Sequence, residues 1–87
     1  MDDFEIKNQS NQILPIKLIQ LAKRQAAYYL LHPNFIKTHN KSACKNSDYR
    51  LLFREIVKDK NNKIEYIVVD FIHIETCCYL KTFVVYD

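Results

Sequence analysis

The chain contains no glycine in 87 residues, and that absence constrains the fold more than any residue it does contain. Reversals that need φ > 0 have to be made by residues carrying a Cβ, and Asn and Asp tolerate that geometry best. Turns are therefore expected where Asn and Asp cluster, as in Lys58-Asp59-Lys60-Asn61-Asn62-Lys63. The same absence excludes Walker-type and dinucleotide-binding loops, which need glycine where backbone approaches a phosphate. No cofactor of those kinds is expected.

Eighty-seven residues imply one domain over 1–87, near the size at which a single core is only just sufficient. Six Tyr and five Phe supply bulk for that core in the absence of Trp. A net charge of +3 is compatible with a phosphate-bearing partner without requiring one. The acidic start Met1-Asp2-Asp3 does not read as a signal peptide. No apolar run approaches the roughly 20 residues that span a bilayer, so no membrane partner is expected.

The cysteines are Cys44, Cys77 and Cys78, an odd count that includes an adjacent pair. Neighbours in a strand point to opposite faces, which argues for free thiols and a reducing, cytoplasmic setting. His73 with Cys77 and Cys78, or His39 with Cys44, lacks the spacing of a four-ligand zinc site, and no metal is expected.

Residues 1–11 are polar apart from Phe4 and Ile6, and the alternation Asp3-Phe4-Glu5-Ile6-Lys7 suits an edge strand or a loose arm equally. Residues 12–37 read as helical, with the main helix over Pro15–Leu31 and a further turn at Asn34–Lys37. Pro15 suits the first turn, where its missing N–H costs nothing. Leu14, Leu18, Leu21 and Ala22 form a stripe that Gln25 and Tyr29 continue, while Lys17, Lys23 and Arg24 lie away from it. His32 precedes Pro33, a position pushed out of the α region. Residues 38–48 form a polar, basic loop. Three strand-like runs follow over 49–87 as an antiparallel meander: Tyr49–Val57, Ile64–His73 and Cys78–Tyr86. The expected class is α+β, an N-terminal helix packed on a three- to four-stranded antiparallel sheet.

With Asn61-Asn62 at the centre of a tight turn, Arg50 falls opposite His73, Leu52 opposite Phe71 and Arg54 opposite Val69. One face then carries Arg50, Leu52, Arg54, Ile56, Ile67, Val69, Phe71 and His73. The other, with Tyr49, Leu51, Phe53, Val57, Ile64, Tyr66, Val68 and Ile72, has fewer cations to desolvate and is the expected helix-packing side. This assignment depends on register, because a one-residue slip exchanges faces.

On that pairing Arg50, Arg54 and His73 form a candidate site for a phosphodiester. Two guanidiniums would stabilise transition-state charge, and a histidine titrating near neutrality would exchange a proton. The plainer reading places the arginines on a solvated face and His73 at a strand end. Lys41 and Lys45 in the basic loop are further candidate contacts to nucleic acid, by charge alone.

"DYRLLFREI", "IEYIVVDFIH" and "CYLKTFVV", spread over residues 48–85, resemble the closing strands of RelE/HigB-type toxins of toxin–antitoxin systems. In those proteins a strand bearing "YR" is followed by an apolar strand that ends in a histidine, with a tyrosine nearby. The resemblance implies helices on an antiparallel sheet and a cytoplasmic, metal-independent endoribonuclease that cuts messenger RNA, often on the ribosome, under control of an antitoxin. It implies that Arg50 stabilises the scissile phosphate, that His73 acts as acid, base or phosphate ligand, and that Tyr79 takes the place of the following tyrosine. Arg54 matches no position of the pattern and enters through the hairpin alone. The rival reading is a small non-catalytic inhibitor, immunity or adaptor protein that grips a protein partner.

Overall fold

The structure is a computed structural model and describes residues 2–32 and 45–87. In chain order it has strand β1 (Glu5–Asn8), helix α1 (Ile16–Leu31), a 3₁₀ turn (Asn46–Asp48), and strands β2 (Tyr49–Lys58), β3 (Ile64–His73) and β4 (Cys78–Tyr86). The four strands form one sheet in the order β1-β2-β3-β4, with α1 on one face. The α+β class and the three C-terminal strands are as the patterning predicts. The further turn expected at Asn34–Lys37, most of the predicted 38–48 loop, and the candidates Lys41, His39 and Cys44 lie outside the described residues.

The sheet is mixed rather than purely antiparallel. β1 forms and runs parallel to β2, with Glu5 beside Arg50 and Lys7 beside Leu52. Parallel neighbours need a long crossover, and α1 lies in the connection between β1 and β2. Both ends of β1 are held. Upstream, the Asp2 carboxylate accepts the N–H groups of Asn46 (3.0 Å) and Ser47 (2.8 Å), and Lys23 donates to Asp3 at 2.6 Å. Downstream, Gln9 N–H donates to the Phe53 carbonyl. Phe4 is buried against the rings of Tyr49 and Phe71.

Helix α1 begins just after Pro15, whose carbonyl accepts the N–H groups of Leu18 and Ile19. It ends at His32, which leaves the α region (φ −121°, ψ 86°) directly before Pro33. Its buried stripe is Leu18, Ala22, Ala26 and Tyr29. Two alanines at its centre let the helix approach the sheet closely. Leu21 is only half-buried and Gln25 is exposed, so the predicted stripe is rotated slightly toward Ala26.

Left-handed geometry falls on Asn11 (φ 62°), Asn62 (φ 64°) and Cys77 (φ 52°). Two of the three are Asn, as a chain without glycine requires. The β2–β3 connection is wider than a two-residue turn: Asp59 N–H donates to the Lys63 carbonyl at 2.8 Å, and the Asp59 carboxylate accepts the N–H groups of Asn61 and Lys63.

The β2–β3 register corrects the predicted faces. Lys58 pairs with Ile64 beside the wider turn, and an irregularity between Val57 and Lys58 then gives the expected pairs Val57–Tyr66 and Ile56–Ile67. At Arg54 a β-bulge intervenes, and beyond it Phe53 pairs with Val69, Leu51 with Phe71, and Tyr49 with His73. One extra residue moves every side chain beyond it to the other partner. The helix-covered face therefore joins Tyr49, Leu51 and Phe53 to Ile56, Ile67, Val69, Phe71 and His73, completed by Phe83 and Val85 of β4. Arg50, Leu52 and Arg54 turn the opposite way.

Candidate functional site

Arg50 and His73, expected on one face, lie on opposite faces of the sheet. Arg50 pairs across the strands with Ile72, not with His73. Its guanidinium Nε donates to the Glu5 carboxylate at 2.7 Å, a contact set by the parallel β1–β2 register. His73 is 6% exposed. Its ring stands edge-on to Tyr49 with centroids 5.4 Å apart, and its Nδ1 is 2.8 Å from Thr76 Oγ1. A histidine in that setting closes the end of the core.

The second face is not covered by any element among the described residues. It presents Glu5 and Lys7 of β1, Arg50, Leu52 and Arg54 of β2, Tyr66, Val68, Asp70 and Ile72 of β3, and Thr82, Val84 and Tyr86 of β4, by register with the strands already placed. At its centre lies a linked set of polar groups. Arg54 Nε donates to Asp70 Oδ2 at 2.9 Å, and Thr82 Oγ1 donates to Asp70 Oδ1 at 2.7 Å. Tyr79 hydroxyl contacts the same Thr82 hydroxyl. Asp70 is only 8% exposed although it sits on the open face, because these side chains close over it. A buried carboxylate needs such partners, and here it has one on each neighbouring strand.

The bulge places Arg54 there. In the burial pattern of β2 the strict alternation breaks at Arg54-Glu55, where two consecutive residues are exposed. The sequence there, Leu51-Leu52-Phe53-Arg54-Glu55, does not itself alternate, so the extra residue is seen only in the structure. A second irregularity between Phe71 and Ile72 pairs Phe71 with Lys81 and Ile72 with Tyr79, leaving Leu80 over. It keeps Tyr79, 58% exposed, within reach of Thr82.

Of the predicted site residues, the structure brings Arg54 and Tyr79 together through Asp70 and Thr82 and puts Arg50 on the same face. His73 is separated from all three. Lys45 is exposed and precedes the 3₁₀ turn, where its backbone N–H donates to Asp48 at 2.6 Å. Asp70 and Thr82 were not among the predicted residues; the signal that pointed to Asp70 was a lone carboxylate inside the apolar run over residues 67–72. Among the described residues no cluster of His, Cys, Asp and Glu is arranged to hold a metal ion, and no helix is long and apolar enough to cross a membrane. Comparison of the chain with protein-family models, with curated proteins and with solved structures yields no match.

Proposed function

We propose that this chain is a small non-catalytic protein-binding module, of the inhibitor, immunity or adaptor kind. The observation that carries this reading is the separation of Arg50 from His73. Phosphodiester cleavage by that pair needs both groups on one phosphate, within hydrogen-bond reach of the reacting atoms. One is engaged by Glu5 on the open face, and the other is buried on the opposite side of the sheet against Tyr49. Binding makes no such demand. Among the described residues the sheet has one bare face and a long bare edge at β4, which offer apolar side chains and unpaired backbone to a partner.

One observation favours the competing reading, a RelE/HigB-like endoribonuclease that acts on RNA or the ribosome under an antitoxin. Arg50, Arg54 and Tyr79 share the uncovered face, and two arginines with a tyrosine are a chemistry suited to a phosphate. Each arginine already holds a carboxylate, Glu5 or Asp70, so an RNA phosphate would have to displace it.

The deciding experiment is induced expression in bacteria followed by an RNA-integrity assay, repeated with purified protein on RNA with and without ribosomes. The binding reading expects intact messages throughout. Cleavage by the wild type that falls about a hundredfold in Arg50→Ala, some 2.7 kcal/mol of transition-state stabilisation, would replace it with the ribonuclease reading.

A further inference from the structure

The sheet has two edges, and they are not alike. β1 is four residues long and leads into a tight Asn-Ser turn held by side-chain hydrogen bonds, the kind of short strand that leaves little edge to pair with. β4 is nine residues long, contains no proline, and among the described residues no strand pairs with its outer side. Asp87 N–H donates inward to the Glu65 carbonyl at 3.4 Å. Backbone direction alternates along an antiparallel strand, so Phe83 and Val85 also face β3. Thr82, Val84 and Tyr86 then turn their N–H and C=O groups outward. These form a regular run of open hydrogen-bonding positions.

Helix α1 walls that edge on one side. Leu21, Arg24 and Gln25 stand across a cleft of about 280 Å³ from Val84, Val85 and Tyr86. Lys17 reaches Asp87, one residue past β4, at 3.6 Å. Arg24 has no carboxylate within ion-pair distance among the described residues. Val84 and Tyr86, 40% and 64% exposed, carry the apolar surface over to the open face.

An edge beside a helix takes an added strand whose backbone bonds the edge, while its alternate side chains enter the groove. The charge says which strand. α1 contains Lys17, Lys23 and Arg24 and no acidic residue; Lys17 and Lys23 are paired with Asp87 and Asp3, which leaves Arg24 as the cation beside the edge. A second copy pairing β4 with β4 would set two such helices side by side and bring like charges together, which disfavours it. We infer that the outer edge of β4 receives an extended, acidic segment of another protein as a fifth strand, with aliphatic residues at alternate positions beside Val84 and Tyr86 on the open face and the intervening carboxylates turned toward Arg24 across the α1 cleft. This inference rests on the protein-binding reading and names the partner's chemistry.

The probe is a synthetic peptide, acetyl-Glu-Val-Asp-Leu-Glu-Val-Asp-amide, titrated into the ¹⁵N-labelled protein. Two companions are a version with lysine at every acidic position and a pair of versions N-methylated at alternate residues. The expected result is a shift of the Thr82, Val84 and Tyr86 amide signals by the acidic peptide. The lysine version gives none, and only one of the two methylated versions loses binding. Val84→Pro removes one outward N–H at an edge, where proline is tolerated, and should abolish binding with the fold retained. Arg24→Glu, on an exposed helix position, should weaken binding by about tenfold or more and serves if the proline variant does not fold. No shift of these amides up to about 1 mM peptide, equal binding of the lysine version, or a wild-type dimer in light scattering that Val84→Pro dissociates overturns the inference. Failure here with intact RNA leaves the binding reading standing, whereas RNA cleavage by the wild type removes that reading whatever the peptide does.

Discussion

Two residues that look interchangeable as candidate catalysts differ in what their removal does. His73 is packed against Tyr49 and bonded to Thr76 at the closed end of the core. His73→Ala leaves a cavity and strips a partner from Thr76, and should lower stability by about 2–4 kcal/mol. Arg50 makes a half-exposed ion pair with Glu5, a class of contact that contributes about 0–1 kcal/mol. Arg50→Ala should therefore leave the urea midpoint almost unchanged while His73→Ala moves it clearly. Equal, small effects from both would place His73 at the surface, as the sequence reading had it.

Among the elements, β1 depends most on contacts outside itself. Among the described residues it pairs with β2 alone, and the segment before it is fastened by Asp2 on the 3₁₀ turn and by Asp3 on Lys23. The backbone N–H of Ser47, bonded to Asp2, holds that carboxyl below the ordinary carboxylate range, and the hydrogen bond from Lys23 does the same for Asp3. A carboxyl with a depressed folded value contributes stability that is present above its unfolded value, about 4 for Asp. That contribution is lost as pH falls through the lower folded value. Acidification from about pH 5 to 2 should thus loosen the N-terminal arm before the β2–β3 hairpin. Hydrogen exchange at the Asn46 and Ser47 amides would report it. Protection there that is unchanged down to the pH of global unfolding would show that the two carboxylates do not hold the arm.

At the scale of the whole molecule, the bulge at Arg54 decides which face is which, and the Arg54–Asp70–Thr82 set ties β2, β3 and β4 together on the open side. Arg54→Ala leaves Asp70 buried with only Thr82 to satisfy it. Since the guanidinium is about half exposed, the expected loss is discounted to about 1–2 kcal/mol, with the fold retained. Asp70→Asn in the same background should recover part of that loss, because a neutral amide is easier to bury than an unpaired carboxylate. A single variant as stable as the wild type would mean that the set is not a structural tie.

The sequence alone determined that the chain is α+β, that a helix starts at Pro15 and stops before Pro33, and that three strands follow Asp48, with asparagine serving in place of glycine at the turns. Those features are local: proline sterics, helical and strand periodicity and Asn backbone tolerance act within a few residues. The register around Ile56 and Ile67 agrees with the expected one only because an irregularity between Val57 and Lys58 offsets the wider turn. What lay beyond was not legible. The position of His73 relative to Arg50 depended on one extra residue at Arg54, and a single bulge inverts every assignment past it. The parallel pairing of β1, which hands Glu5 to Arg50, is a contact between residues 45 apart in sequence that no periodicity encodes. Only the tertiary structure could decide whether the arginines and the histidine meet, since that depends on the sum of register shifts along the sheet rather than on any one strand.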